Sequence, residues 1–220
     1  MSIPVPRQFI EDEIYHLIKK NESENDKIKQ FKVKFNYRND KINVVIGHSG
    51  SIFNNHLKII EGLKNIKNVN RFHFIVNLNY AISEIEKVNY KKQLNNAFIA
   101  LNCSYVVLDD FFSGEVLALS RLAADVFIHA PISDALSSTM LEMIYASSIV
   151  IAGSWLPYKT FKNAGLDYHE FSEFSDLATI LDQIAIDFDN KKEKAKHNSI
   201  AIENYFLNDK IVNKWLEILN

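Results

Sequence analysis

The stretch Val126-Phe127-Ile128-His129-Ala130-Pro131-Ile132-Ser133-Asp134-Ala135-Leu136-Ser137-Ser138-Thr139-Met140-Leu141-Glu142-Met143-Ile144-Tyr145-Ala146-Ser147-Ser148-Ile149-Val150-Ile151 decides the fold. It opens and closes on unbroken apolar runs of strand length, Val126 to Ile128 and Ser148 to Ile151, with a helical segment from Ser137 to Ala146 between them. Strands that are apolar at successive positions are covered on both faces, and a strand-helix-strand order is how parallel strands are joined. Working outward, the same unit recurs. Upstream lie the runs Ile42 to Ile46, Phe72 to Val76 and Tyr105 to Leu108, with helical segments at Asn55 to Ile66, Asn89 to Leu101 and Ser113 to Ala123. Downstream, a helix over Leu156 to Ala164, a short strand over Asp167 to Phe171 and a helix over Glu173 to Asp187 follow. The expected class is α/β, a Rossmann-like open parallel sheet with helices on both faces.

The flanks are less regular. Phe9, Ile10, Ile14, Leu17 and Ile18 fall at helical spacing and predict an amphipathic helix over Arg7 to Lys20. Asn21 to Asp40 is rich in Lys, Asn and Glu and reads as a solvated connector with one short edge strand at Phe31 to Phe35. Two C-terminal helices are expected near Lys191 to Tyr205 and Asp209 to Leu219. The chain therefore divides into an N-terminal helix and linker (1–40), a ligand-binding domain (41–190) and C-terminal helices packing on it (191–220).

Composition narrows the function. The 27 acidic and 25 basic side chains nearly cancel, so no global field draws the chain to nucleic acid or an anionic membrane, and any anion site must be local. Cys103 is the single cysteine and suits a reducing compartment, where it reads as core. Met1-Ser2-Ile3-Pro4-Val5-Pro6-Arg7 has no basic region followed by an apolar stretch, and the most apolar segment, Met140 to Leu156, is too short and polar to span a bilayer. A cytoplasmic location is expected, with a partner able to hold the chain at the inner membrane face. No His/Cys/Asp cluster has metal-ligand spacing, so neither a metal nor another cofactor is expected.

Ligands of open parallel sheets bind beyond the carboxyl ends of the strands, where helix N-termini present free amides. Two loops fall there. Gly47-His48-Ser49-Gly50-Ser51 follows the first strand and leads to Asn54-Asn55-His56. Its glycines permit close backbone approach, and its serines offer hydroxyls to a phosphate, although a plain turn capped by Asn54 or Asn55 uses the same residues. The second loop runs from His129 to Ser137. Ser137, Ser138 and Thr139 open a helix, Asp134 precedes it and Glu142 lies inside it, so both carboxylates can border one cleft and accept paired hydroxyls. The alternative is that Ser137 only caps the helix and Glu142 faces solvent.

Ala124 to Ile128, Asp134-x7-Glu142 and Ile149 to Ser154 together resemble the C-terminal half of GT-B-type glycosyltransferases, in particular the retaining family 4 pattern of two acids eight positions apart. The first loop is also similar to bacterial surface-polysaccharide transferases of the fucosaminyl type, which are inverting. The resemblance covers about Lys41 to Leu181. It implies a nucleotide-sugar donor site with Glu142 on the ribose and Asp134 on the sugar. Ser137, Ser138 and Thr139 would hold the diphosphate, together with Gly47, Ser49, Asn54 and Asn55.

Where family 4 places an Arg and a Lys, this chain has His48 or Ser49 and Asn54 or Asn55, so a protonated His48 and Lys159 are the candidate cations. Asp134 and His48 are the candidate catalytic residues. Trp155 and Tyr158 are candidates to stack on a base or sugar. Only roughly 40 residues precede the first strand, which implies that a partner or another domain carries the glycan or lipid-linked acceptor. A non-catalytic nucleotide-sugar-binding or scaffold subunit is the competing expectation.

Overall fold

The computed structural model describes residues 10–206. Six parallel strands, β1 (Ile42–Ile46), β2 (Phe72–Asn77), β3 (Ser104–Leu108), β4 (Val126–His129), β5 (Ile149–Gly153) and β6 (His169–Phe171), form one sheet in the order β3-β2-β1-β4-β5-β6. Every residue of β1, β4 and β5 is buried, which is why these runs show no polar alternation.

The helices divide between the two faces. Against Val44, Phe74, Ile128 and Ile151 pack α3 (His56–Gly62), α4 (Glu84–Leu101) and α8 (Asp176–Ile186), with Ala195 of α9 (Phe188–Lys196) at the margin. Against Val45, Ile75, Phe127 and Val150 pack α1 (Ile10–Asn21), α2 (Asn25–Lys34), α5 (Gly114–Ala123), α6 (Ser138–Tyr145), α7 (Lys159–Asn163) and α10 (Asn198–Tyr205). The chain steps from β1 outward to β3 with α3 and α4 on one face. It then crosses through α5 to β4, on the other side of β1. The order reverses at that point, and the loops after β1 and β4 lie at this switch point, where ligands of open parallel sheets bind.

The edge strand expected at Phe31 to Phe35 is instead the end of α2 and its cap. Phe31-Lys32-Val33-Lys34-Phe35 alternates with period two, but Phe31 and Phe35 are also four apart and share a helix face. Both are buried against Tyr37 and Phe112, while Val33 is 70% exposed. A solvated connector is therefore the wrong description of Asn21 to Asp40, since α2 seals the core beside α5.

Other boundaries shifted for local reasons. Helix α4 starts at Glu84, five residues before the expected Asn89, because Ser83 and Glu86 form a reciprocal capping box. Helix α3 stops at Gly62, where a β-carbon would fall 2.1 Å from the Phe174 carbonyl oxygen. The helix expected over Lys191 to Tyr205 breaks at His197 into α9 and α10. The helix expected over Asp209 to Leu219 lies outside the described residues. Cys103 is half-buried, and burial pushes its thiol up to about 12.

Candidate functional site at the carboxyl rim of the sheet

The loops after β1 and β4 are stitched together. The Gly47 amide donates to the Ile128 carbonyl at 3.0 Å and the Ile132 amide to the Phe53 carbonyl at 2.9 Å. The Asn55 side chain donates to the Ala130 carbonyl at 2.8 Å. The rings of His48 and His129 are 5.6 Å apart across this seam. Gly47 sits at φ +67°, and a β-carbon there would lie 2.4 Å from His56 Nε2, so both its conformation and its space require glycine.

Within the first loop the polar side chains bond inward. Asn54 donates to Ser49 Oγ at 2.9 Å, and the two residues are 1% and 2% exposed. Ser49 and Asn54 thus shape the turn and are not presented to the crevice as side-chain donors. Asn55 takes a left-handed conformation ahead of α3, and its side chain caps nothing there. Burial and the neighbouring His129 depress His48 to about 4, so it is neutral at pH 7 and supplies no positive charge.

The second loop carries the charge. Ser137 caps α6 by accepting from the Met140 amide at 3.2 Å, which leaves the amides of Ser138 and Thr139, at the positive end of the helix, without intrahelical partners. Asp134 Oδ2 accepts from the Tyr158 hydroxyl at 2.8 Å and lies 3.0 Å from His129 Nε2, while Oδ1 accepts from the Ala135 amide at 2.7 Å. Burial alone would raise the Asp134 pKa, but these bonds outweigh it and hold the carboxyl well below the usual range. Burial outweighs Asp134 at His129 and lowers its pKa; Nε2 lies 3.0 Å from the carboxylate and 2.8 Å from the Tyr158 oxygen, and the tautomer with its hydrogen on Nε2 serves both and leaves Nδ1 as an acceptor.

Glu142 is 7% exposed and does not face solvent. Arg121 of α5 reaches it with both Nε and a terminal nitrogen at 2.9 Å, each on the same oxygen, Oε2. Oε1 is left to accept another donor.

Of the aromatic candidates, Tyr158 is buried and stacked on His129 and Phe161. Trp155 packs edge-on against Phe171 and donates to the Pro131 carbonyl. Lys159 is exposed at the first position of α7. Arg121, His129 and His56 were missed. A histidine closing an otherwise apolar strand was a legible signal for His129, but nothing in the local sequence ties Arg121 to Glu142.

Among the described residues, buried side-chain polar atoms without a partner include His48 Nδ1, Asn54 Oδ1, His56 Nε2, Asn77 Oδ1, Asn79 Oδ1 and His129 Nδ1 near this rim and His73 Nε2 toward the opposite end of β2. Buried polar groups are ordinarily satisfied by protein or by ordered water, so this end of the sheet offers polar atoms to water or to a polar ligand. A groove of 840 Å³ opens on the α3–α4 flank, lined by Ser51, Phe53, Asn55, Ile82, Glu86 and Tyr90 among others, and no residue of the second loop lines it. No group of three or more His, Cys, Asp or Glu side chains among the described residues can hold a metal ion, and no described helix is long and apolar enough to cross a membrane.

No protein-family model matches the sequence, and neither does the sequence of any curated protein. Solved structures do match the fold. A glycosyltransferase from Rickettsia africae superposes with a TM-score of 0.70 at 19% identity, covering 88% of this chain and 51% of its own. HepE of Anabaena, solved with UDP and glucose, gives 0.68 at 14% identity over 87% of this chain and 51% of its own. The UDP-forming α,α-trehalose-phosphate synthase of Burkholderia xenovorans gives 0.72 at 11% identity over 98% of this chain and 50% of its own. The architecture is the Rossmann-like half of a GT-B fold. This chain spans about half the length of the structures it matches.

Proposed function

We propose that the chain is the donor-binding domain of a glycosyltransferase that moves a sugar from a nucleoside-diphosphate sugar to a glycan or lipid-linked acceptor in surface polysaccharide synthesis. The observation that carries this reading is the cluster of unpartnered buried polar atoms where two stitched loops meet the N-terminus of α6. The diphosphate lies against the Ser138 and Thr139 amides and the backbone of the Gly47 loop. Glu142 Oε1 accepts a ribose hydroxyl, and Asp134 accepts from the sugar.

In the reaction the bond between the anomeric carbon and the diphosphate oxygen breaks, and one to the acceptor oxygen forms. The departing diphosphate oxygen carries off the electron pair of the broken bond and takes up the proton released by the acceptor hydroxyl. An arriving diphosphate favours the charged form of His48, so the imidazole gains a proton when that charge is needed. Lys159 is the further cation on this reading. The site works without a resident metal, in the cytoplasm or at the inner membrane face through a partner that carries the acceptor site.

The test is a thermal-shift panel of UDP-, GDP- and dTDP-sugars, beginning with UDP-glucose because HepE was solved with UDP and glucose. At a ligand concentration a hundredfold above Kd, the melting point should rise by about 5 °C or more. The rise should vanish in Glu142→Gln and persist in Cys103→Ala. A panel with no shift rejects the donor site.

A second reading is a non-catalytic nucleotide-sugar-binding or scaffold subunit. It is favoured by the lack of Lys or Arg between Gly47 and Asn55 and by the inward bonding of Ser49 and Asn54. Binding that never gives sugar transfer, even with an acceptor domain supplied, would decide for it.

A further inference from the structure

We propose that Tyr158 and His129 are positioning residues that fix the Asp134 carboxylate, so that one oxygen, Oδ1, receives a single hydroxyl of the donor's sugar ring. The inference rests on the donor-site reading and deepens it. A carboxylate offers about four lone-pair positions. Three are taken: two on Oδ2, by the Tyr158 hydroxyl and by the Nε2–H that His129 shares with the Tyr158 oxygen 2.8 Å away, and one on Oδ1 by the Ala135 amide. The open position is therefore on Oδ1, in a side chain that is still 24% exposed.

The two positioning groups cannot drift. His129 is fully buried at the end of β4, and Tyr158 is clamped between the His129 and Phe161 rings, with centroids 5.8 and 5.0 Å away. Tyr158 directs its hydrogen at Asp134, and His129 shares its Nε2–H between Asp134 and the Tyr158 oxygen, so the carboxylate stays ionised and acts as an acceptor. A proton-donating role for Asp134 is disfavoured by the same bonds. The contact selects for the sugar and is indifferent to the nucleotide.

The experiment is calorimetric titration of the native chain, Tyr158→Phe, Asp134→Asn and the double variant. The probes are UDP and UDP-glucose, GDP and GDP-mannose, and dTDP and dTDP-glucose. Tyr158→Phe keeps the stacked ring and removes one oxygen. It should weaken binding of the preferred nucleotide sugar by about tenfold, the order expected for one hydrogen bond to a charged group, with less than about a twofold change for the matching free nucleotide. In the Asp134→Asn background the same substitution should add nothing further.

Equal weakening for sugar and free nucleotide, no weakening at all, or full additivity in the double variant would overturn the positioning role while leaving the donor site intact. If the native chain binds none of the nucleotides, the donor site itself fails, and this role with it. Thermal melts of each variant separate misfolding from loss of the contact. Should Tyr158→Phe unfold, His129→Asn is held to the same ratio of sugar to free-nucleotide affinity.

Discussion

The two rim loops are held in opposite ways. The loop after β1 contains no charged residue from Gly47 to Asn55, and Ser49, Asn54 and Asn55 bond to one another or to neighbouring backbone, while His48 Nδ1 and Asn54 Oδ1 stay unpartnered. The segment from the end of β4 into α6 holds two carboxylates, Glu142 buried and Asp134 half-buried, each neutralised or fixed by partners from elsewhere in the chain: Arg121 from α5, and Tyr158 at the start of α7. Neutral hydrogen bonds shape a cradle of amides on one side of the crevice, and distant charges set the polarity of the other. A motif on a strand-to-helix turn is thus only half of a site whose other half is contributed by the neighbouring layers.

The largest break in this contrast comes from the charged side. Arg121→Met leaves Glu142 buried and unpaired, and should cost about 3–5 kcal/mol in urea unfolding. Pairing it with Glu142→Leu should recover most of that loss, because removing both charges removes the desolvation penalty as well. A loss under about 1 kcal/mol would mean that the pair is solvated and the asymmetry is false.

Acid probes the neutral side. His56 is fully buried against the Tyr90 hydroxyl, and burial followed by the nearby His48 depresses it to about 3 from 6.5. A histidine whose folded pKa is depressed contributes stability above its unfolded pKa and loses it as pH falls toward the folded value. Each unit below 6.5 should therefore cost about 1.4 kcal/mol per such imidazole, down to the folded pKa. Urea midpoints should fall between pH 6.5 and 4, and His56→Gln should flatten that slope.

The smallest effect tests the stitch itself. Asn55→Ala removes the bond to the Ala130 carbonyl and strains a left-handed residue, for a cost of about 1–2 kcal/mol by thermal melt. An unchanged melting point would show that the loops meet without that tie.

Much of this was legible from residue order. All six strands were expected at nearly their observed positions, because two-sided burial writes itself as unbroken apolar runs. The Ser83-x-x-Glu86 box that starts α4 was legible as well and went unread. Phe31 to Phe35 was ambiguous at the level of pattern, since one five-residue stretch satisfied both the strand period and the helix period. Only its packing against Phe112 distinguishes them. Asp134, Glu142 and the glycine turn were found, but Glu142 was expected at the edge of an open cleft and is paired beneath it.

Local spacing alone determined the alternating elements, the parallel sheet and the two loops that end its first and fourth strands, because hydrophobic period and turn chemistry act over a few residues. Tertiary structure decided which lone pairs those loops leave open. Arg121, His129 and Tyr158 approach the acids across 21, 5 and 24 positions of chain, and only the crossing of helices and strands brings their hydrogens within bonding distance.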